Sequence, residues 1–393
     1  MTSLLESART FEPELIALRR DLHQHPELSF LETRTAGVAA AHCERLGFRV
    51  RTGVGRTGVV AELGGGGPVI ALRADMDALP IQEANDVAWR SGVPGVMHAC
   101  GHDAHVSMLL GAARLLAALA ERGELPGGSV RLLFQPSEEA SDEEDRSGAM
   151  RMVEDGAMRD VARVFGVHIG AHLPSGLAHI SPGPIMAGSQ LFRSVVRGRS
   201  AHAARPHEGV DAVVLAAHFV LACQNAVARR LAPHQQGVLT IGTIHGGAAE
   251  NVLADAVELH GTLRYFEADV RAVLERELRA AGSVVEALGG TVEPHLRPGY
   301  PPLINDAATT ALAALAVGEA LGTDAVVPFA PMMGAEDFAV LAAEAPGCFF
   351  WLGAALQPPR EHHHPAFDID ETALARGAAA LAACAVHALR ETR

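Results

Sequence analysis

The sequence has little of what marks several large classes of protein. Cysteine occurs only five times in 393 residues and never as a CxxC pair, which excludes a disulfide framework. No stretch approaches the ~18 uninterrupted apolar residues of a membrane-spanning helix, and the first twenty residues lack the apolar core of a signal peptide. The 32 basic residues are outnumbered by 46 acidic ones, and the formal net charge of -14 disfavours nucleic acid and anionic membranes as partners. We therefore expect a cytoplasmic protein that binds neither.

The length of the chain and the order of its predicted elements indicate two domains. Single hydrophobic cores rarely grow beyond about 250–300 residues, and this chain exceeds that length. Short apolar runs at 69–74, 130–134 and 164–169 predict strands buried on both faces of a sheet. The middle of the chain instead predicts the order β-α-β-β-α-β of a ferredoxin-like domain. We predict an α/β domain with a mostly parallel mixed sheet, interrupted by an inserted α+β domain, with the bounds 1–188 and 300–393 for the first and 189–299 for the second.

The three apolar strands each lead to side chains that bind metals or move protons. Asp75 and Asp77 follow the first strand, Glu138 and Glu139 follow the second, and His168 lies near the end of the third. In open α/β sheets, ligands bind where strands end at their carboxyl edge. This pattern predicts a functional site at that edge.

A second concentration of such groups lies between residues 97 and 105. Within these nine residues stand three imidazoles, a thiol and a carboxylate. Cys100 and His102 are separated by one glycine, a spacing that puts both side chains on one side of an extended segment. Another imidazole comes from the segment 361–365 near the C-terminus. Thiolate, imidazole and carboxylate suit zinc, cobalt, nickel or manganese. The set is larger than one tetrahedral site needs, which indicates two ions.

Each of these groups also has a simpler interpretation. A single cysteine or histidine is more often a core or surface residue than a metal ligand, and the three histidines at 362–364 fit a solvated loop. The acidic residues 142–145 are interpreted as a solvated loop as well. We exempt Glu138 and Glu139, because adjacent side chains in an extended segment point in opposite directions. One of the two can then bind metal while the other faces the substrate.

Taken together, the motifs resemble those of the aminoacylase/carboxypeptidase-type family of metal-dependent amidohydrolases. The similar branch contains hippurate hydrolases, N-acyl-amino-acid hydrolases and plant indole-acetyl-amino-acid hydrolases. The matching segments run in family order along nearly the whole chain: 73–80, 97–105, 134–139, 165–168, 201–207, 246–247 with 251–252, 261–266, 333–338 and 363–365. The resemblance implies a zinc-aminopeptidase-like catalytic domain, with the ferredoxin-like insert as a lid and dimerisation domain.

The resemblance also implies a set of site residues. A two-metal centre of zinc, manganese, cobalt or nickel would be held by Cys100, His102, Glu139, His168 and His363. His363 is selected from its neighbours because the family's late histidine stands two residues before a proline. The resemblance further implies that Glu138 is the general base and acid, and that His202, from its own or a partner subunit, polarises the scissile carbonyl. Asn251 and Arg264 would bind the substrate carboxylate. The residues that would support the metal centre are Asp75, Asp77, Glu336 and Asp337.

The implied activity is hydrolysis of the amide bond of small N-acyl amino acids by a homodimer. The identities of the acyl group and of the amino acid stay open. Two alternatives remain at this point: a hydrolase in which Cys100 is a nucleophile activated by His102 or His98, and a catalytically silent binding or scaffolding dimer on the same fold. The chain departs from the family pattern at Ala254, where proline is usual, and in the long acidic segment 140–147.

Overall fold

In the computed structural model, residues 3–391 are described, and they divide into two units. Of the described residues, the first unit contains 3–185, Ile304–Ala330 and 337–391. The second unit contains Met186–Leu303 and Pro331–Glu336. The chain passes between them through β7 (Gly183–Met186) and β12 (Leu303–Asn305), which pair as a small two-stranded sheet.

An eight-stranded mixed sheet forms the centre of the first unit. Its strands are β1 (Arg49–Val54), β2 (Gly58–Gly65), β3 (Val69–Asp75), β4 (Gly128–Gln135), β5 (Val161–Gly170), β6 (Ala178–His179), β13 (Val326–Val327) and β14 (Gly347–Gly353). They lie in the order β1-β2-β4-β3-β5-β14-β6-β13. The four central strands, from β4 to β14, are mutually parallel. The predicted α/β fold with a mostly parallel mixed sheet is therefore confirmed.

Helices cover the sheet of the first unit. They are α1 (Leu4–Arg9), α2 (Glu12–Gln24), α3 (Thr33–Arg45), α4 (His102–Glu121), α5 (Gly148–Glu154), α9 (Ala307–Leu321), α10 (Phe338–Glu344) and α11 (Ala373–Glu391). α4 and α11 are buried on nearly all sides and carry the alanine and leucine side chains of the core. By length and composition these two helices, and the helical stretch Ala212–Arg230, would be long enough to span a membrane. In α4 and α11 the apolar residues are instead those of a core, since about four fifths of each is buried in the fold.

The second unit has a ferredoxin-like arrangement. Its elements follow in the order β8 (Gly188–Arg197), α6 (Ala212–Asn225), β9 (Gly237–Gly246), β10 (Ala256–Tyr265), α7 (Ala268–Ala280), α8 (Gly282–Ala287) and β11 (Thr291–Pro298). The sheet order is β11-β8-β10-β9, and every neighbouring pair is antiparallel. A separate core of aliphatic and aromatic side chains lies between this sheet and its helices.

Candidate metal centre

The carboxyl ends of β3, β4 and β5 bring the predicted side chains to one edge of the large sheet. β3 pairs in parallel with both β4 and β5, so the three strands end side by side. Asp75 is the last residue of β3, Glu138 follows the end of β4, and His168 lies two residues before the end of β5. The edge therefore collects acidic and imidazole groups because the strand order and direction require it.

The local geometry around Cys100 differs from the extended segment that we predicted. Gly101 has φ +91° and stands at the N-terminus of α4, and His102 is the first helical residue. A Cβ on Gly101 would lie 2.4 Å from a methyl carbon of Ile169, so only glycine fits this turn. The turn, rather than strand alternation, places Cys100 and His102 on the same side.

All five predicted metal ligands lie together. The Sγ of Cys100 lies 3.5 Å from Nε2 of His168, and Nε2 of His363 lies 3.2 Å from Oε1 of Glu139. Nε2 of His102 lies 3.9 Å from the same Glu139 oxygen. Two groups of three potential ligand atoms share the Cys100 sulfur, one with His102 and His168 and the other with Glu139 and His363, and within each group all atoms lie within 4.8 Å of one another.

The histidines of this cluster have their second nitrogen already bonded to the protein. His102 donates Nδ1–H to Asp77 at 3.2 Å, and His168 donates Nδ1–H to the carbonyl of Ile169 at 2.8 Å. In both rings Nε2 is the nitrogen that faces the cluster, and it is the atom that can bind a cation once it carries no proton. A hydrogen bond of this kind fixes the tautomer and the ring orientation of metal-binding histidines.

Buried atoms without partners show that the donor set fits a cation. Nε2 of His102 and Oε1 of Glu139 are buried and accept no hydrogen bond from the described residues. Leaving such atoms unpaired costs roughly 1–3 kcal/mol each. Soft sulfur, imidazole nitrogen and carboxylate oxygen together are the ligands of zinc and related transition metals. A divalent cation would satisfy both orphaned atoms.

The electrostatics of the site favour positive charge at the same place. Burial alone would lower the pKa of His102, but Asp75 and Asp77 outweigh burial and raise that pKa to about 10. The field of these carboxylates would thus hold a proton on His102 when no other cation is present. Burial lowers the pKa of His168, and its neighbour His105 lowers it further, so that imidazole is neutral and ready to bind metal.

Asp77 supports the centre through four hydrogen bonds. Besides His102, its oxygens accept the backbone N–H groups of Glu138 at 3.1 Å and Glu139 at 3.0 Å, and the hydroxyl of Ser29 at 2.6 Å. One carboxylate therefore orients a metal ligand and holds the backbone of the acidic pair. Burial acts to raise the pKa of Asp77, but the hydrogen bond and charge of His102, together with the hydrogen bonds from Ser29 and Glu139, outweigh burial and lower that pKa.

His105 binds Asp75, a role that the sequence did not indicate for this histidine. The oxygens of Asp75 lie 2.7 Å from Nη1 of Arg73 and 2.5 Å from Nδ1 of His105. The other nitrogen of His105 accepts the backbone N–H of Ile169 at 2.9 Å, which holds the end of β5 against α4. His105 follows His102 by three residues in α4, so the two side chains lie on the same helix face. This spacing could have indicated from the sequence that His105 belongs to the site.

The predicted residues Glu336 and Asp337 fall in different units. Asp337 is buried in the first unit, where it accepts hydrogen bonds from Arg73 at 2.9 Å and from Gln135 at 2.8 Å. One of its oxygens lies within 4.8 Å of an oxygen of Glu138. Burial raises the pKa of Asp337 despite the neighbouring Arg73. Glu336 is buried and belongs to the segment Pro331–Glu336 of the second unit.

The predicted catalytic residue His202 and the predicted substrate-binding residues Asn251 and Arg264 all lie in the second unit. His202 is exposed and forms a bridge with Val252, and the carbonyl of Asn251 accepts the N–H of Ala203 at 3.0 Å. His202 and Asn251 are therefore neighbours, before the start of β10. Arg264 lies near the opposite end of β10, where it is half-buried. Their positions relative to the metal cluster stay a prediction.

The three consecutive histidines have three separate positions. His362 is mostly buried and accepts the N–H of Ala171 at 3.1 Å. Burial, with His172 nearby, lowers the pKa of His362 to about 3. His363 has φ +57° and its N–H is bonded to the carbonyl of Ala99 at 2.8 Å, which aims its ring at Glu139. His364 is exposed and accepts the N–H of Ala366.

The acidic segment is more ordered than the solvated loop that we predicted. The side chain of Asp142 is only 1% exposed, and it pairs with Arg151 and Arg56 at 2.7 Å each. It also accepts the N–H groups of Glu144 and Arg146. The prediction was therefore wrong for Asp142, which Arg151 on the following helix and the sequence-distant Arg56 neutralise. It was correct for Glu143 and Glu144, which are exposed.

Trp351 is a further residue of the site that sequence analysis missed. It lies directly opposite His168 in the β14–β5 pairing, and its ring stacks on the imidazole with centroids 4.2 Å apart. The ring of Phe329 also stacks on Trp351, with centroids 5.8 Å apart. The short apolar strand 347–353 gave no sign of this contact, because the register between strands decides it.

Comparisons with known proteins agree with this site. Residues 71–387 match the family described as Peptidase family M20/M25/M40. An N-acetyl-L-cysteine deacetylase of Bacillus subtilis is 40% identical over 93% of this chain and 86% of its own length, and an IAA-amino acid hydrolase ILR1-like 2 of Arabidopsis thaliana is 38% identical over 99% and 89%. The crystal structure of the Bacillus subtilis YXEP protein, described as a dinuclear metal-binding peptidase of the M20 family, superposes with a TM-score of 0.83 at 34% identity, covering 97% of this chain and 99% of that one.

The chain belongs to peptidase family M20/M25/M40. It is a metal-dependent hydrolase of this type, and the resemblance to metal-dependent amidohydrolases that the motifs indicated is confirmed. Family membership and an intact cluster of metal-binding side chains leave little support for a catalytically silent scaffold.

Proposed function

We propose that this protein hydrolyses the amide bond of small N-acyl amino acids, releasing a carboxylic acid and a free amino acid. The observation that carries the proposal is the convergence of a thiol, three imidazoles and a carboxylate at one sheet edge, with Glu138 beside them. The names of the deacetylase and of the amino acid hydrolase, both similar over nearly the whole chain, support the choice of substrate class.

Two divalent ions would be held by the five converging side chains, with the thiolate of Cys100 common to both groups of ligand atoms. Such ions lower the pKa of water to about 7 and polarise a carbonyl oxygen. Mixed sulfur, nitrogen and oxygen ligands accept zinc, manganese, cobalt or nickel, so the ion is to be found by experiment.

Glu138 is the proposed general base and acid. It accepts the proton of the attacking water and passes it to the leaving nitrogen, so the amino acid departs as a neutral amine. Its backbone is fixed to Asp77, and Asp337 lies within 4.8 Å of its carboxylate. Glu139, the adjacent residue, faces His363 and His102 instead. The two neighbours thus divide metal binding and proton transfer between them.

Arg264 is proposed to bind the substrate's carboxylate together with Asn251 of the partner subunit, and His202 is proposed to bind the oxygen of the scissile carbonyl. No carboxylate forms an ion pair with Arg264 anywhere in residues 3–391, although burial lowers the pKa of its guanidinium. A half-buried guanidinium without a protein partner suits a bidentate carboxylate.

The geometry of the second unit supports a homodimer in which the partner subunit supplies His202. The β8–β10 ladder ends with the pair Arg197 and Ala256, and the isolated bridge between His202 and Val252 comes beyond that end in sequence, while Arg264 lies near the other end. Eight residues separate Ala256 from Arg264, which at ~3.3 Å per residue is roughly 26 Å. One small substrate does not span that length, so one subunit cannot supply both side chains to it.

The surface of the second unit supports the same conclusion. Val214 and Leu221, seven residues apart on α6, are 51% and 67% exposed. β9 is an edge strand of the four-stranded sheet and exposes Ile244. Exposed apolar helix faces and unpaired strand edges are surfaces that proteins cover by association. We infer that a second copy of this unit covers them.

The alternative with Cys100 as a nucleophile has no support from its surroundings. Reactive thiols have a lowered pKa near positive charge. Burial raises the pKa of Cys100 well above its usual range, and the carboxylates of Glu139 and Glu138 raise it further. In the absence of metal the sulfur is therefore a protonated, unreactive thiol.

A substrate panel tested with and without metal checks the proposal. Protein stripped by a chelator should be inactive, and refilling with zinc, manganese, cobalt or nickel should restore hydrolysis of hippurate, N-acetyl or indole-acetyl amino acids. The matched substrate whose carboxylate is replaced by a carboxamide should lose about 10- to 150-fold in kcat/KM, the equivalent of a charge-assisted hydrogen bond of ~1.5–3 kcal/mol. Full activity of metal-free protein would favour the thiol mechanism, and equal turnover of acid and amide would contradict the carboxylate site.

A further inference from the structure

Glu32 contacts the backbone immediately before the acidic pair. It is fully buried at the N-terminus of α3. Its Oε1 accepts the N–H groups of Phe30 at 2.9 Å and of Ser137 at 2.8 Å, and its Oε2 accepts the hydroxyl of Thr57 at 2.5 Å. Glu32 therefore binds Ser137, the residue that precedes Glu138, although the two are 105 positions apart in the sequence.

Three successive backbone N–H groups are thus bound by two carboxylates. Ser137 donates to Glu32, while Glu138 and Glu139 donate to the two oxygens of Asp77. Asp77 lies two residues beyond β3, and Glu32 belongs to the connection between α2 and α3. The turn that carries both acidic side chains is accordingly fixed from two separate elements.

The backbone of this turn would not keep its shape without such support. Ser137 has φ +45°, a conformation that residues other than glycine adopt rarely, at a cost of order 1–3 kcal/mol. Its carbonyl accepts the N–H of Gly148 at 2.9 Å, and a Cβ on Gly148 would lie 1.6 Å from the carbonyl oxygen of Pro136. The loop 137–148 is closed at its base around a strained residue, and Glu32 holds that residue's N–H.

We propose that Glu32 is a positioning residue for catalysis, which fixes Ser137 so that the carboxylate of the next residue, Glu138, faces the reacting atoms. This inference rests on the proposed role of Glu138. Glu32 touches no substrate in this account, and its contribution is geometric. A displacement of about 1 Å in a catalytic group costs on the order of 10²-fold in rate.

The charge of Glu32 is not what the positioning requires. Burial and the neighbouring Asp77 raise the pKa of Glu32 to about 7, so its neutral form is accessible near neutral pH. Glutamine has the same length, and its carbonyl oxygen can accept both backbone N–H groups while its amide donates to the Thr57 oxygen. Aspartate keeps the charge but is one methylene too short to reach Ser137 and Thr57 together.

Three substitutions at this position, Glu32→Ala, Glu32→Asp and Glu32→Gln, test the inference in metal-loaded protein. We expect Glu32→Ala and Glu32→Asp to speed hydrogen exchange of the backbone amides at 137–139 and to lower kcat about 10²-fold, with KM and bound metal nearly unchanged. Glu32→Gln should restore slow exchange and kcat. If Glu32→Ala fails to fold, the comparison of Asp with Gln decides.

Glu27→Ala is the matched control. Glu27 caps the same helix by accepting the N–H groups of Arg34 at 2.9 Å and Thr35 at 2.8 Å, but it does not contact 137–139. Its removal should lower stability and leave exchange at 137–139 and kcat unchanged. The inference is overturned if Glu32→Asp keeps slow exchange and full kcat, if Glu32→Gln is as impaired as Glu32→Ala, or if Glu27→Ala has the same effects. Exchange does not depend on catalysis, so an active Glu138→Gln variant would refute the proposed base and leave this readout intact.

Discussion

Replacing Glu138 with glutamine is expected to lower kcat by about 10²–10⁴-fold, the usual contribution of a general base, while the protein still binds its full complement of metal. Glutamine has the same size and accepts hydrogen bonds, but it cannot take a proton from water. The backbone contact of residue 138 with Asp77 does not involve the side chain and should persist. Steady-state kinetics and elemental analysis of the same preparation measure both quantities.

Two further variants test whether the loss of kcat in Glu138→Gln comes from proton transfer. One removes a proposed metal ligand, and the other removes a negative charge from the acidic segment. Glu139→Gln should lose bound metal, since Glu139 lies among the ligand atoms. Glu143→Gln removes an 85% exposed carboxylate five residues from Glu138 and should leave both kcat and metal content unchanged. A Glu138→Gln enzyme with nearly wild-type kcat would show that another group transfers the proton.

Mixing two inactive variants is expected to regenerate activity. If the partner subunit supplies His202 and the subunit's own second unit supplies Arg264, each single variant, His202→Ala or Arg264→Ala, has two defective sites per dimer. A mixed dimer has one site with both side chains intact and one with neither. Random exchange at equal amounts should therefore restore about a quarter of the wild-type rate, because half of the dimers are mixed and each has one intact site of two.

A substitution in the proposed dimer interface, compared with one outside it, tests whether the restored activity depends on dimerisation. Leu221→Glu places a charge on the exposed face of α6 and should abolish both dimerisation and the restoration. Leu315→Glu changes a leucine that is 58% exposed on α9 of the first unit and should affect neither. Absence of restoration from variants that exchange subunits freely would place His202 and Arg264 in the same subunit.

The side chains that converge in the candidate metal centre could be selected from the sequence because they occur in short motifs at strand and helix ends. Buried apolar runs located β3, β4 and β5, and the carboxyl ends of parallel strands meet at one edge. The order β-α-β-β-α-β likewise predicted the arrangement of the second unit. In each case the pattern that identifies one strand, helix or motif lies within a few neighbouring residues.

The contacts that support the metal cluster could not be predicted in this way. Glu32 reaches Ser137 across 105 positions, and Trp351 reaches His168 through strand register. Asp142 is neutralised by Arg56, which lies far from it in sequence. Such contacts depend on how elements pack, and a single sequence does not state the packing.

The turn at Gly101 was predicted only in part. The spacing of Cys100 and His102 indicated two ligands on one side, but the reason was a left-handed glycine before a helix and not an extended strand. The two side chains do lie in one cluster, but the extended conformation expected between them was wrong. Glycine permits both conformations, and the start of α4 selects one.

Anomalous diffraction at the metal absorption edge, from crystals of the metal-loaded protein, tests the central claim most directly. The account predicts two peaks per chain among Cys100, His102, Glu139, His168 and His363, with metal–sulfur distances of about 2.3 Å and metal–nitrogen distances of about 2.0–2.1 Å for zinc. Glu138 should approach neither ion as a ligand. A single peak, or peaks away from the Cys100 sulfur, would contradict a two-metal centre built from these side chains.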